Sequence, residues 1–246
     1  KPYLRAVTVD PKSAEFYLPT EVLAGEPFLF SASGTLTGSV VTVQTVGGEV
    51  VATKKPDKNG RVFLEMGLAV GAYLVSIGDG KSSRVCSINV PPQIRDNPAP
   101  SDKAIALDSD FLTIDRSKLG VMDGNFPNPD ALEFDDFIHT RTPLIRAATT
   151  RQIVFDRPSD CGAQPGVQTM TVRDTKTGQS ASTEVVFYSA EAKLTQVKVP
   201  SGAETHLIVT VLPKELEGEV SAMILGGPVS FANGDNEMTL HTSSGQ

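Results

Sequence analysis

Short segments of alternating apolar and polar residues, each closed by a turn signal, recur along the whole chain at about 8–12-residue spacing. Tyr3 to Asp10, Ser39 to Val46, Gly71 to Ile77, Arg84 to Val90, Arg151 to Arg157 and Ser182 to Tyr188 all follow this pattern. The period of two puts one face of each segment toward a core and the other toward solvent. Val and Thr dominate these runs, and their branched Cβ atoms stiffen χ1 in favour of extended backbone. Gly47-Gly48, Asn59-Gly60 and Gly78-Asp-Gly80 lie between such runs, where a tight hairpin needs φ > 0. The 17 prolines and 21 glycines are spread along the sequence, which suits many short strands rather than a few long helices. The expected fold class is all-β: two or three tandem antiparallel β-sandwich domains with helix below about 10%, against the usual third.

A chain of 246 residues is long for one such sandwich at roughly 100–200 residues per domain. Pro91, Pro92, Pro98 and Pro100 interrupt the pattern, and proline neither donates to a ladder nor lets its neighbour turn helical. The expected organisation is a sandwich at 1–92, a Pro-rich linker at 93–103, a second sandwich at 104–190 and a small third unit at 191–246. The last segment carries strands at Leu194 to Val199, His206 to Leu212, Val220 to Leu225 and Met238 to Thr242. It reads either as a third unit, complete or cut short at Gln246, or as an extension of the second. Leu119 to Pro127, with its two glycines, reads as a loop. A chain that begins at Lys1 reads as a mature product or a fragment.

Two stretches resemble known families. Gly34-Thr-Leu-Thr-Gly38, Gly48 to Thr53, Asp57-Lys-Asn-Gly-Arg61-Val-Phe and Gly71-Ala-Tyr73 make residues 25–90 resemble the carboxypeptidase-regulatory and related Ig-like modules of bacterial surface proteins. Gly124-Asn-Phe126, Leu132 to Asp136, the Ile145 to Pro158 strand and the Gly166 to Tyr188 hairpin make residues 108–190 resemble IPT/TIG domains. Both resemblances imply tandem Ig-like modules. They also imply an extracellular, periplasmic or cell-surface setting and a mainly non-catalytic role as spacer or adhesive module.

The chemistry-bearing residues point the same way. Basic residues number 22 and acidic residues 29, and the net charge of −7 disfavours a phosphate-backbone binder, which normally shows a basic stripe. No apolar run approaches the 18 or so residues of a membrane-spanning helix, and no membrane insertion is expected. His139, His206 and His241 form neither H-E-x-x-H nor H-x-H, and no G-x-S-x-G or phosphate-loop glycine pattern occurs. Cys86 and Cys161 are too few for a zinc site or a disulfide framework, and two buried free thiols are expected rather than one bridge. No catalytic residue and no cofactor is assigned, and the chain is not expected to be an enzyme.

Asp108, Asp110, Asp135 and Asp136 are candidate Ca²⁺ ligands, because Ca²⁺ takes six to eight oxygens from loop carboxylates. Solvated turn residues are the plainer reading of these, of Asp115 and of Asp235 with Glu237. Arg141, Arg146, Arg151 and Arg157 form the nearest approach to a basic cluster, either solvating a face or serving an interface. With no Trp and only four Tyr, stacking platforms for sugar rings are scarce. The expected function is a spacer or protein-adhesion module of a secreted or surface-attached bacterial protein, a monomer with a protein or surface-polysaccharide partner. The alternative is an accessory carbohydrate-binding region.

Overall fold

The computed structural model describes residues 16–32, 39–78, 83–91, 104–135, 141–196, 202–213, 218–223 and 230–242. The expected strand at Tyr3 to Asp10 and the expected linker at 93–103 lie outside the described residues. What is described is all-β, with only two short 3-10 turns, Pro129–Ala131 and Pro158–Cys161.

The first part contains β1 (Phe16–Tyr17), β2 (Phe28–Ala32), β3 (Val40–Thr45), β4 (Val50–Lys54), β5 (Arg61–Leu64), β6 (Gly71–Gly78) and β7 (Ser83–Val90). Strands β4-β3-β6-β7 form one antiparallel sheet, and β1 and β5 flank β2 in another. The alternation anticipated from sequence is realised. Val41 and Val43 of β3, Tyr73, Val75 and Ile77 of β6, and Cys86, Ile88 and Val90 of β7 all point inward. They meet Phe28, Phe30, Val62 and Leu64 from the facing sheet in one buried cluster. Each such side chain contributes roughly 1.5–3 kcal/mol by leaving water. The β4–β5 turn closes on Asp57, whose Oδ1 accepts from the Asn59 and Arg61 amides at 2.8 and 2.9 Å.

The second part contains β8 (Ala106–Leu107), β9 (Phe111–Asp115), β10 (Gly120–Asn125), β11 (Leu132–Asp135), β12 (Ile145–Thr149), β13 (Gln152–Phe155), β14 (Gly166–Asp174) and β15 (Ser180–Leu194). Strands β12-β13-β10-β8 form one layer and β11-β14-β15 the other, with β9 added to β15 in the one parallel pairing among the described strands. Their inner faces share a second cluster around Met122, Phe126, Phe134, Ile153, Phe155 and Phe187.

Residues 120–125 form a strand and not the loop expected from Gly120 and Gly124. Both glycines answer close approach rather than flexibility. A Cβ at Gly120 would sit inside the Phe155 ring, and one at Gly124 would collide with the Ala106 carbonyl oxygen of β8. Glycine in a strand marks such an approach as readily as a bend.

Beyond Tyr188, β15 leaves β14 and β9 and pairs only with β16 (Leu207–Leu212). The strand expected to start at Leu194 is therefore the end of a 15-residue strand that runs through positions 190 and 191 without a break. β17 (Gly218–Met223) and β18 (Glu237–Thr242) form a separate hairpin.

All five residues of β2 are buried. Phe28, Phe30 and Ala32 face the first cluster, while Leu29 belongs to the second, with Phe63 of β5 packed against it. On one side β2 pairs with β5; on the other, its start pairs with β12 and its end with β1. One sheet of seven strands thus crosses from the first part to the second. On the same face as Leu29, the Ser31 hydroxyl is buried without a hydrogen-bond partner. An orphaned hydroxyl costs about 1–3 kcal/mol. Ser31→Ala is therefore expected to leave stability unchanged or raise it by about 1 kcal/mol. A urea midpoint that falls clearly in this variant would show that the hydroxyl has a partner.

Candidate functional site

A polar network lies where β1, β12 and β13 meet, along the line on which the two parts join. β1 and β12 abut the same edge of β2, which brings Tyr17 of β1 beside Arg146 of β12. The Arg146 guanidinium lies over the Tyr17 ring, 5.2 Å from its centroid. Cation–π contact of this kind is worth about 0.5–1 kcal/mol at an exposed site and more where water is excluded.

Arg146 Nε also donates to Asp156 Oδ1 at 2.5 Å, and Arg141 reaches Asp156 Oδ2 at 3.5 Å. The Leu144 amide donates to the same Oδ2 at 3.2 Å, while Asp156 returns its own amide to Leu144 O. Asp156 is only 5% exposed, so it is a buried carboxylate with charged and backbone donors around it. Two further contacts lock the junction. Thr150 Oγ1 donates to Glu26 Oε2 at 2.6 Å. The Thr20 hydroxyl and amide donate to Gln152 Oε1, and Gln152 Nε2 donates to Asp123 Oδ1 at 2.8 Å.

Beside this network sits Cys161, fully buried. Burial pushes its thiol up from the ordinary range, against the opposing pull of Arg141, and the Asp156 and Asp160 carboxylates push it further. A catalytic cysteine needs the reverse, a thiolate stabilised by a cationic or helix-end environment. Cys86 is likewise buried, its thiol pushed to about 12 by desolvation. The two thiols are free. His206 and His241 are exposed on the last segment, and His139 lies outside the described residues. The network is thus arranged to hold two surfaces together, with no activated nucleophile among its members.

The acidic candidates are dispersed. Asp108 and Asp110 are exposed in the β8–β9 turn, where the Asp108 amide donates to Asp123 O and Asp110 O accepts from the Glu184 amide. Asp135 ends β11, half-buried, with a carboxylate oxygen 3.8 Å from Arg173. Three strand spacings, β11 to β14 to β15 to β9, separate it from Asp110, or about 14 Å at 4.7–4.9 Å each. Asp136 lies outside the described residues. Among the described residues no group of three His, Cys, Asp or Glu is placed to hold a metal ion. Of the four arginines, Arg141 and Arg146 converge on Asp156, Arg157 is exposed, and Arg151 turns the β12–β13 hairpin with its carbonyl accepting from the Gly124 amide.

One carboxylate outside this network organises a loop instead. Asp174 is 1% exposed and ends β14. Burial would raise its pKa, but donors from Asn128 Nδ2 and the Lys176 and Thr177 amides outweigh that and hold it below the usual carboxylate range. Hydrogen bonds also outweigh burial at Asp57 and Asp115. A depressed folded-state pKa stabilises the fold above the unfolded value, about 3.9, and that stability is lost as pH falls through the folded value. Stability is therefore expected to fall only below about pH 4 on account of these groups. Asp174→Asn should flatten part of that fall, leaving the share due to Asp57 and Asp115. Denaturant midpoints from pH 6 to pH 2 measure this, and an unchanged acid limb in the variant would contradict it.

No family model matches the sequence, so neither the IPT/TIG nor the carboxypeptidase-regulatory resemblance is matched by one. No curated protein sequence matches it either. Among solved structures, the chain is similar to a biofilm-associated protein BSP domain, at 12% identity and a TM-score of 0.32 over 76% of this chain and 30% of that one. It is also similar to domains 4 and 5 of the S-layer protein SbsC, at 14% identity and a TM-score of 0.23 over 63% of this chain and 74% of that one. A third likeness is to the Bacteroides ovatus protein SGBP-B of a mixed-linkage glucan utilization locus, solved with a mixed-linkage heptasaccharide. There the identity is 15% and the TM-score 0.23, over 90% of this chain and 63% of that one. The chain spans about a third of the length of the first of these.

Proposed function

We propose that this chain is a non-catalytic structural and interaction segment of a secreted or surface-attached bacterial protein, a stiff spacer that presents its loops to a protein partner. The observation that carries the reading is β2, a strand of the first part that pairs with β12 and inserts Leu29 into the core of the second. A flexible tether between two independent modules would share neither ladder nor core. Charged and hydroxyl side chains across the same line, Glu26 with Thr150 and Arg146 with Tyr17, resist sliding and rotation. The raised thiol of Cys161 supports a structural rather than a chemical role for the network.

Spin labels on cysteines at Thr53 and Lys176, both exposed, test the stiffness. Cys86 and Cys161 are buried and stay unlabelled. A single narrow distance distribution is expected. A broad one would remove the spacer reading. Thermal unfolding with a panel of soluble glycans and with Ca²⁺ tests the partner class. A ligand at 100 times its Kd adds about 2.7 kcal/mol, so a shift of several degrees with one glycan would replace protein adhesion by carbohydrate binding.

A further inference from the structure

The last two strand pairs are each one-sided. In the β15–β16 ribbon, six register pairs place Ala190, Ala192 and Leu194 on one face with Leu207, Val209 and Val211. No polar residue interrupts that face. The opposite face carries Ser189, Glu191, Lys193 and Thr210 beside Ile208 and Leu212. On β16 this face is the more covered one, with Val211 4% exposed and Leu207 and Val209 half-buried against 47% exposure at Ile208, whereas on β15 Ala190, Ala192 and Leu194 are exposed. The β17–β18 hairpin repeats the division. Its register pair Ala222 and Met238 is half-buried, whereas Glu219, Met223, Glu237, Thr239 and His241 are exposed.

We propose that the covered face of the β17–β18 hairpin is the partner of the apolar face of the β15–β16 ribbon, within one chain. The two then form a two-layer unit at the end of the second part. This stands independently of the spacer reading. Three features support it. A lone two-stranded ribbon is marginal in water and needs a second apolar layer. The paired lengths match, with six residues in each of β16, β17 and β18. Finally, β16 ends at Leu212 and β17 begins at Gly218. Six Cα steps reach at most about 20 Å, enough to cross the roughly 10 Å between stacked sheets and too short to carry the hairpin far from the ribbon. So short a tether gives an effective concentration near the millimolar range, which favours this contact over the same contact between two molecules.

The test is a cross-link in the full chain carrying Val209→Cys and Met238→Cys, treated with a short bis-maleimide. The expected product is a monomer that migrates faster under denaturing conditions, in a yield independent of protein concentration. Lys193→Cys with Met238→Cys, which places one cysteine on the opposite face, is expected not to link. Cross-linked dimers that grow with concentration would overturn the proposal in favour of a second copy. No cross-link from the first pair would overturn it outright. A second measurement covers a variant that folds poorly. Met238→Asp is expected to speed amide exchange in 207–212 by more than tenfold and leave 141–187 unchanged. Unchanged exchange in 207–212 would overturn the proposal as well.

Discussion

Leu29→Ala is expected to lower the stability of the second part of the chain by about 3 kcal/mol, although residue 29 lies in the first. Removing a buried leucine to alanine costs about 2–5 kcal/mol, through lost transfer energy and the cavity left behind. What is specific here is where the cavity opens. Leu29 is 3% exposed and packs with Ile145, Ala148, Phe155 and their neighbours, not with Phe28 and Phe30 on its own strand. Leu29→Asp should go further, because it buries a carboxylate among apolar side chains and would separate β2 from β12. Both parts would then lose a sheet neighbour. Hydrogen exchange measured region by region, with calorimetry for the total, checks this. If Leu29→Ala weakened only residues 16–90 and left 105–187 as protected as before, the shared-strand account would fail.

Asp156→Ala is expected to cost about 3–5 kcal/mol, the usual result of removing one partner of a buried ion pair. The Arg146 side chain is 16% exposed and its guanidinium would remain in place without its carboxylate. The Leu144 amide would lose an acceptor at the same time. Arg141, at 51% exposure, contributes little, so Arg141→Ala should cost under about 1 kcal/mol. Replacing both members of the buried pair, as Arg146→Met with Asp156→Leu, should recover most of the loss, since apolar packing replaces such pairs well. Urea unfolding followed by far-UV circular dichroism suits a chain with no tryptophan. An Asp156→Ala midpoint equal to that of the parent would remove the network from the account of the junction.

Much of the fold is legible from residue order alone. Period-two alternation in 40–45, 71–78 and 166–173 identifies strands and their inner faces, because the pleat sends successive side chains to opposite sides. Gly47-Gly48 and Asp57 with Asn59-Gly60 mark hairpins, because only certain residues take φ > 0 without strain: Gly48 and Gly60 have φ of 90° and 75°. The same logic misreads Gly120 and Gly124. Glycine for a turn and glycine for a close approach are one letter, and the Phe155 ring that demands Gly120 is far along the chain.

The junction network was harder to see. Arg141 and Arg146 stand out as basic residues, but nothing local marks Asp156 as their common partner, nor Tyr17 as the ring beneath Arg146. Thr20 with Gln152 and Glu26 with Thr150 are pairs of ordinary residues separated by 132 and 124 positions. The dispersed aspartates Asp108, Asp110 and Asp135 show the converse. They look alike in sequence, and the order of strands alone decides how far apart they lie.

What the sequence by itself determined is the class of fold, the strands and the direction most side chains face, since these follow from local propensity and alternation. Phe28–Ala32 is apolar at four of five positions, and the structure covers it on both sides. Which surface covers the second side was decided by the tertiary structure. Backbone ladders carry no sequence code, so β2 could pair with any exposed edge of suitable length. The choice of β12 rests on side chains more than a hundred positions away, whose fit against Leu29 exists only once both cores have formed.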